Sequence, residues 1–184
     1  MTRKKRKKNE SLIIIGFVLF IVGFITTLYF ATRPKNRIEY YGQVFEFRRD
    51  IKMAKNIPVY DNCSINNVIF SPAVKRINIV FYANDSYKNY IALEAIELTY
   101  KLNSAMILHG YQPKITSKSV FNITSFSELN NTPYEFNILI VSPDLTDETK
   151  VVCNSNTAII EGKDLVGLDL ATIKFILTAL GIQA

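Results

Sequence analysis

The segment SLIIIGFVLFIVGFITTLYFA, Ser11 to Ala31, holds no charged side chain across 21 positions, and nothing else in the chain limits its possible folds so sharply. As a helix rising about 1.5 Å per residue it would extend about 31 Å, which matches the hydrocarbon core of a bilayer. It is expected to be a transmembrane helix. Gly16 and Gly23 are common residue types in spanning helices, and Tyr29 and Phe30 sit where an aromatic belt meets the headgroups. The two glycines are seven apart, so the GxxxG dimerisation spacing is absent and no self-association follows from them. A cleaved secretory signal would have a shorter apolar part ending in a small-residue A-x-A site, whereas this run leads into LYFATRPKNR. A pilin-type leader would want a small residue beside the basic cluster, where KKNES has Asn9 and Glu10.

Charge fixes the direction of the anchor. The formal net charge is +6, and Arg3, Lys4, Lys5, Arg6, Lys7 and Lys8 set against Glu10 leave +5 in the first ten residues and +1 in all the rest. Basicity confined to a tail is unlike a nucleic-acid-binding domain, whose Lys and Arg spread over a face that tracks phosphates. No nucleic-acid partner is expected. Cytoplasmic flanks are enriched in Lys and Arg, so residues 1–10 are expected in the cytoplasm, 11–31 in the membrane, 32–37 as a linker and 38–184 outside. The expected partners are membrane lipids, through residues 11–31 and the basic tail, and a protein of the envelope.

Two further features fit an exterior placement. Asn62-Cys63-Ser64, Asn84-Asp85-Ser86 and Asn122-Ile123-Thr124 are acceptable glycosylation sequons, though a chain rich in Asn, Ser and Thr produces several by chance. Cys63 and Cys153 are the only cysteines. In an oxidising compartment they would close a loop of about 90 residues, worth about 4 kcal/mol where the geometry allows; two separate buried thiols are the other reading.

Beyond Pro34, which ends the helix, the pattern is α/β. IEYYGQVFEF has aromatic and β-branched residues on either side of Gly42, as in two short strands or one bulged strand. Ile57–Asp61 reads as a brief strand, and SINNVIF as a helical turn or short helix. Arg76–Ala83 is a strand apolar enough to be buried on both faces. Asn84, Asp85 and Ser86 offer caps for a helix from Tyr87 to Leu108, closed by His109 and Gly110. That helix carries two apolar stripes, Ile91, Ala95, Leu98, Leu102, Ala105 and Met106, then Leu93, Ile96, Tyr100 and Ile107, and is expected to pack on two sides. After a polar stretch to Pro133 come strands at Phe136–Ser142, Lys150–Asn154 and Thr157–Gly162, then a helix capped by Asp164 and apolar almost all round from Ile173 to Leu180. The expected domain is α/β, with a mixed sheet and two main helices.

The chemistry is sparse. His109 is the only histidine, so no multi-histidine metal site can be built, and at a helix C-terminus it is expected to cap. Glu94 and Glu97 share a helix face and are the candidate catalytic carboxylates, but Lys101 follows Glu97 by four and favours a solvated stripe with an ion pair. Asp144, Asp147 and Glu148 are the candidate metal ligands, in a loop after a strand, without the order of a calcium loop. EGKD, Glu161 to Asp164, lacks the glycines of a phosphate loop, and Asp164 suits an N-cap. No cofactor is expected.

YYGQVFEFRRD after an anchor, then ALEAIELTYKL, then AIIEGKDLVGLDLATIKFILTALGI, together resemble a loose group of uncharacterised archaeal proteins with a single N-terminal membrane anchor. The resemblance implies a placement and a domain type and supplies no catalytic residues. The expected function is binding or envelope assembly by an anchored, non-enzymatic exterior domain; the alternative is an anchored envelope hydrolase using the carboxylates.

Overall fold

The computed structural model describes residues 20–24, 36–82, 86–120 and 132–182. The chain divides into two compact units, Met1–Pro34 and Lys35–Ala184. In the first, residues 20–24 are helical and exposed; the rest of the expected transmembrane helix and the basic tail lie outside the described residues. Among the described residues no helix is long and apolar enough to cross a membrane.

The second unit opens with a hairpin, β1 (Arg37–Tyr40) and β2 (Gln43–Glu46), so IEYYGQVFEF forms two strands. Its two-residue turn places both Tyr41 (φ 50°) and Gly42 (φ 77°) in the left-handed region, the geometry that matches strand twist in tight hairpins. Glycine adopts it freely, whereas a tyrosine there is strained by about 1–2 kcal/mol. Phe45 and Phe47 are buried while Val44 and Glu46 are exposed, so only one face of β2 meets the core. Asp50 then caps a single helical turn, α1 (Ile51–Ala54), by accepting from the Lys52 amide at 2.9 Å.

A six-stranded sheet follows, ordered β3 (Val59–Asp61), β7 (Lys150–Asn154), β8 (Thr157–Glu161), β6 (Glu135–Val141), β4 (Arg76–Tyr82), β5 (Lys114–Val120). All neighbours are parallel except β7 and β8, which form an antiparallel hairpin. The sheet is therefore mixed. Its helices are α2 (Ile65–Ile69), α3 (Lys88–Leu108) and α4 (Leu165–Ala179), with α3 and α4 the two long ones. Part of the polar stretch before Pro133, KITSKSV, is the edge strand β5, and it could be polar because an edge lacks a neighbour on one side.

The main core lies between the sheet and the helices. Ile77 and Ile79 of β4, Phe136, Ile138 and Ile140 of β6, and Ala158 and Ile160 of β8 point to one face. Val80, Leu139 and Val141 form a smaller cluster on the reverse face with Ile159, which explains why β4 and β6 read as continuous apolar runs. Helix α4 is the hub, touching α1, α2, α3, β7 and β8. Asp164 caps it, accepting from the Gly167 amide at 2.6 Å. Gly162 permits its approach, since a Cβ there would lie 2.2 Å from the Leu168 nitrogen.

Helix α3 has Tyr87 as its N-cap, and Asn84 and Asp85 of the expected caps lie outside the described residues. One expectation for α3 is corrected. Its second apolar stripe is not packed: Leu93, Ile96, Tyr100 and Ile107 are 54, 64, 66 and 50% exposed. The hairpin and α4 take the flank at Glu94 instead, because arginines after β2 draw the acidic residues inward.

Candidate functional site

The side chains that gather closest are charged. Beyond β2 the chain passes through Phe47 into a bend at Arg48 and Arg49, and the bend, which breaks the strand alternation, lets both guanidinium groups reach the acidic residues of α3 and α4. Arg48 binds Glu94, lies 2.8 Å from Glu97 and reaches Asp169 of α4 at 3.3 Å; Arg49 holds Asp169 at 2.9 Å. Lys101 pairs with Glu97 and stands 4.5 Å from the centre of the Phe47 ring. Arg48 lies 5.4 Å from the Tyr90 ring centre.

Burial overturns the reading of Glu94, Glu97 and Lys101 as a solvated stripe. Glu94, Lys101 and Asp169 are 1, 5 and 3% exposed. An unpaired charge would be prohibitive at that depth, and three cations facing three carboxylates remove the penalty. Desolvation, then the hydrogen bond shared with Asp169, pushes the Glu94 carboxyl up to about 8, against the opposing pull of Arg48. Asp169 moves down: burial opposes this, but hydrogen bonds from Glu94, Tyr90 and Arg49 outweigh it. The pair therefore holds a proton on Glu94 and a charge on Asp169 at neutral pH.

Asp169, Arg48, Arg49 and Tyr90 were missed by the sequence reading. A signal existed for Asp169: a lone acid in a helix otherwise apolar must meet a cation. Paired arginines just after an aromatic strand were the other half of it.

Beside this cluster runs a groove of about 630 Å³, bordered by Asn36, by Gln43 to Arg48 and by Glu97, Tyr100 and Lys101 of α3. Tyr100 belongs both to the groove and to the exposed apolar stripe. At the far end of α3 the Tyr40 hydroxyl and His109 Nε2 share a 2.6 Å hydrogen bond, and the rings of Phe70 and Tyr41 lie 4.4 and 4.9 Å from the imidazole. His109 does stand at the C-cap, but its exposed side chain meets the hairpin rather than the helix carbonyls, because the Tyr40 hydroxyl and the rings of Tyr40, Tyr41 and Phe70 draw it there.

The remaining candidates are dispersed. Cys63 and Cys153 form a disulfide with α-carbons 5.6 Å apart, joining the turn after edge strand β3 to β7. Among the described residues the one grouping with metal-ligand spacing is Asp61, Cys63 and Cys153, whose sulfurs are both in that bond. Asp61 instead accepts from the Ile65 amide at 2.9 Å and starts α2. Asp144 accepts from the Ser142 hydroxyl. Glu148 pairs with Lys150, which holds its carboxyl below the usual range, and Asp147 and Glu148 share a depression with Lys150 and Lys163. The lysines offset the field a hard cation would need. Asn62 is exposed, while Asn84 and Asn122 lie outside the described residues.

Searches among known protein families, curated proteins and solved structures return no match.

Proposed function

We propose that this chain is a single-pass membrane protein whose exterior α/β domain docks a protein partner of the envelope through the outward face of α3. One observation carries the reading: Leu93, Ile96, Tyr100 and Ile107 fall within about 60° of one another around the helix, over about 21 Å, and all are exposed. An exposed apolar stripe of this length, interrupted at Asn103 between Tyr100 and Ile107, is characteristic of an interaction surface. Tyr41, 70% exposed and held at positive φ on the hairpin tip, is a second apolar group kept outward against strain. Support for the placement comes from the uncharged run Ser11–Ala31 behind a basic tail, and from a disulfide of the kind that persists in oxidising compartments. The resemblance to anchored archaeal proteins agrees with it.

The test has two arms. Protease added to intact cells should degrade the domain, and full protection would overturn the placement. A photoreactive residue replacing Ile96 should trap one discrete membrane-associated protein, while the same group at Lys52 of α1 should not. Equal trapping at both sites would defeat the docking face.

A membrane-anchored envelope hydrolase is the second reading, favoured by the proton-sharing of Glu94 and Asp169. It requires Arg48 to swing away, since Glu94 is buried beneath it. Turnover of wall polymers that disappears in Glu94→Gln would establish it.

A further inference from the structure

The groove beside β2 runs along an open strand edge. The register pairs Arg37 with Glu46, Ile38 with Phe45, Glu39 with Val44 and Tyr40 with Gln43, and the next pair is bonded through the Phe47 amide donating to the Asn36 carbonyl at 2.7 Å. Bonded and non-bonded pairs alternate in antiparallel ladders. Asn36–Phe47, Ile38–Phe45 and Tyr40–Gln43 are thus the bonded pairs, and the N–H and C=O of Val44 and Glu46 point away from β1. The hairpin is a two-stranded sheet, so among the described residues no strand receives them.

The lining shows where that edge faces. Gln43, Val44, Phe45, Glu46, Phe47 and Arg48 all border the same groove. Successive side chains of a strand point to opposite faces, so a groove touching six in a row runs along the backbone edge, with Asn36, the partner of Phe47, bordering it at the open end of the hairpin. Its opposite wall is α3, at Glu97, Tyr100 and Lys101.

Resting on the docking function above, we infer that an extended segment of the partner protein adds to β2 as a third strand, with alternate apolar side chains laid against Tyr100, where the groove meets the exposed stripe of α3. The complementarity is one of partial charge. An edge of alternating N–H and C=O is matched by another extended backbone, while the exposed stripe on α3 calls for apolar side chains. A second copy of this chain fits poorly, because its own β2 edge stands behind the same wall of α3, and two walled edges cannot enter each other.

The experiment uses the full chain in detergent micelles and a blocked heptapeptide that alternates valine with threonine between terminal lysines. Saturating peptide should slow amide exchange at Val44 and Glu46 by about tenfold or more and leave Phe45 unchanged. Methylating the peptide amides in one alternate register should abolish binding, and in the other register should not. Val44→Pro removes the outward N–H while keeping the hairpin's own bonds, and should weaken binding about tenfold. Should that variant fail to fold, the methylated peptides test the same contact on the unaltered protein. Unchanged exchange at Val44 and Glu46 would overturn the inference. So would protection already present in the free chain, which in a monomer would mean another segment of the same chain fills the groove and in a dimer a second copy. Trapping at Ile96 without protection of Val44 would sink strand addition and leave the docking function standing.

Discussion

At the scale of single residues, Arg48 and Glu94 decide how the hairpin is held. Glu94 ordinarily titrates near 4.5 and in the folded chain near about 8, so between those values the folded state binds the extra proton. Stability is then greatest below the unfolded value and falls as pH rises, by up to about 1.4 kcal/mol per unit. Asp169 acts in the opposite sense: its contribution is present above the unfolded value and is lost as pH falls through the depressed one. Urea midpoints measured from about pH 5 to about pH 8 should decline, and Glu94→Gln should flatten the decline. A wild-type midpoint rising across that window would contradict the protonation of Glu94. Arg48→Ala removes the guanidinium bonded to Glu94 and Glu97 while Arg49 still holds Asp169, and should destabilise by about 1–3 kcal/mol in the same assay. Neither partner set was legible beforehand, because Arg48 and Asp169 are 121 positions apart and only the closed fold brings them together.

At the scale of elements, α3 separates what a pattern specifies from what it leaves open. Its extent was readable from periodicity and from Gly110, and so was its buried stripe, since Ile91, Leu98 and Leu102 recur at helical spacing and are fully buried. The second stripe has the same spacing, and periodicity says which residues share a face without saying what covers it. Substitution distinguishes the two. Leu98→Ala should cost about 2–5 kcal/mol by opening a cavity, whereas Leu93→Ser and Ile96→Ser should each change stability by less than about 0.5 kcal/mol in chemical denaturation. A large loss at Ile96 would mean that the stripe is covered in the isolated chain. Strands β4 and β6 were legible as apolar runs buried on both faces, while β5 was not, its Lys and Ser residues being the mark of a sheet edge. The single turn of α1 was also missed, because four residues carry no period.

At the scale of the whole molecule, the disulfide is the constraint with the longest reach. It joins residues 90 positions apart and secures β3, a three-residue edge strand paired only with β7. Removing it through Cys63→Ala with Cys153→Ala should lower unfolding free energy by about 4 kcal/mol, read from thermal or chemical denaturation beside the oxidised wild type. An unchanged midpoint would mean the bond holds nothing that β3–β7 pairing does not. The α/β class and mixed sheet could be read from the alternation of strands and helices; the strand order could not, since pairing depends on partners far apart in sequence.

That order has a consequence for how the domain is made. The centre of the sheet, β8 and β6, and the hub helix α4 come from residues 135–179, while β3, α2, β4 and α3, which depend on them, are synthesised first. Until α4 emerges, residues 36–120 have the hairpin and the β4–α3–β5 unit to build on, without the sheet centre and the hub helix that complete the core. A chain arranged this way completes its core only once residues 165–179 are made, so the early strands wait on the late helix that covers them.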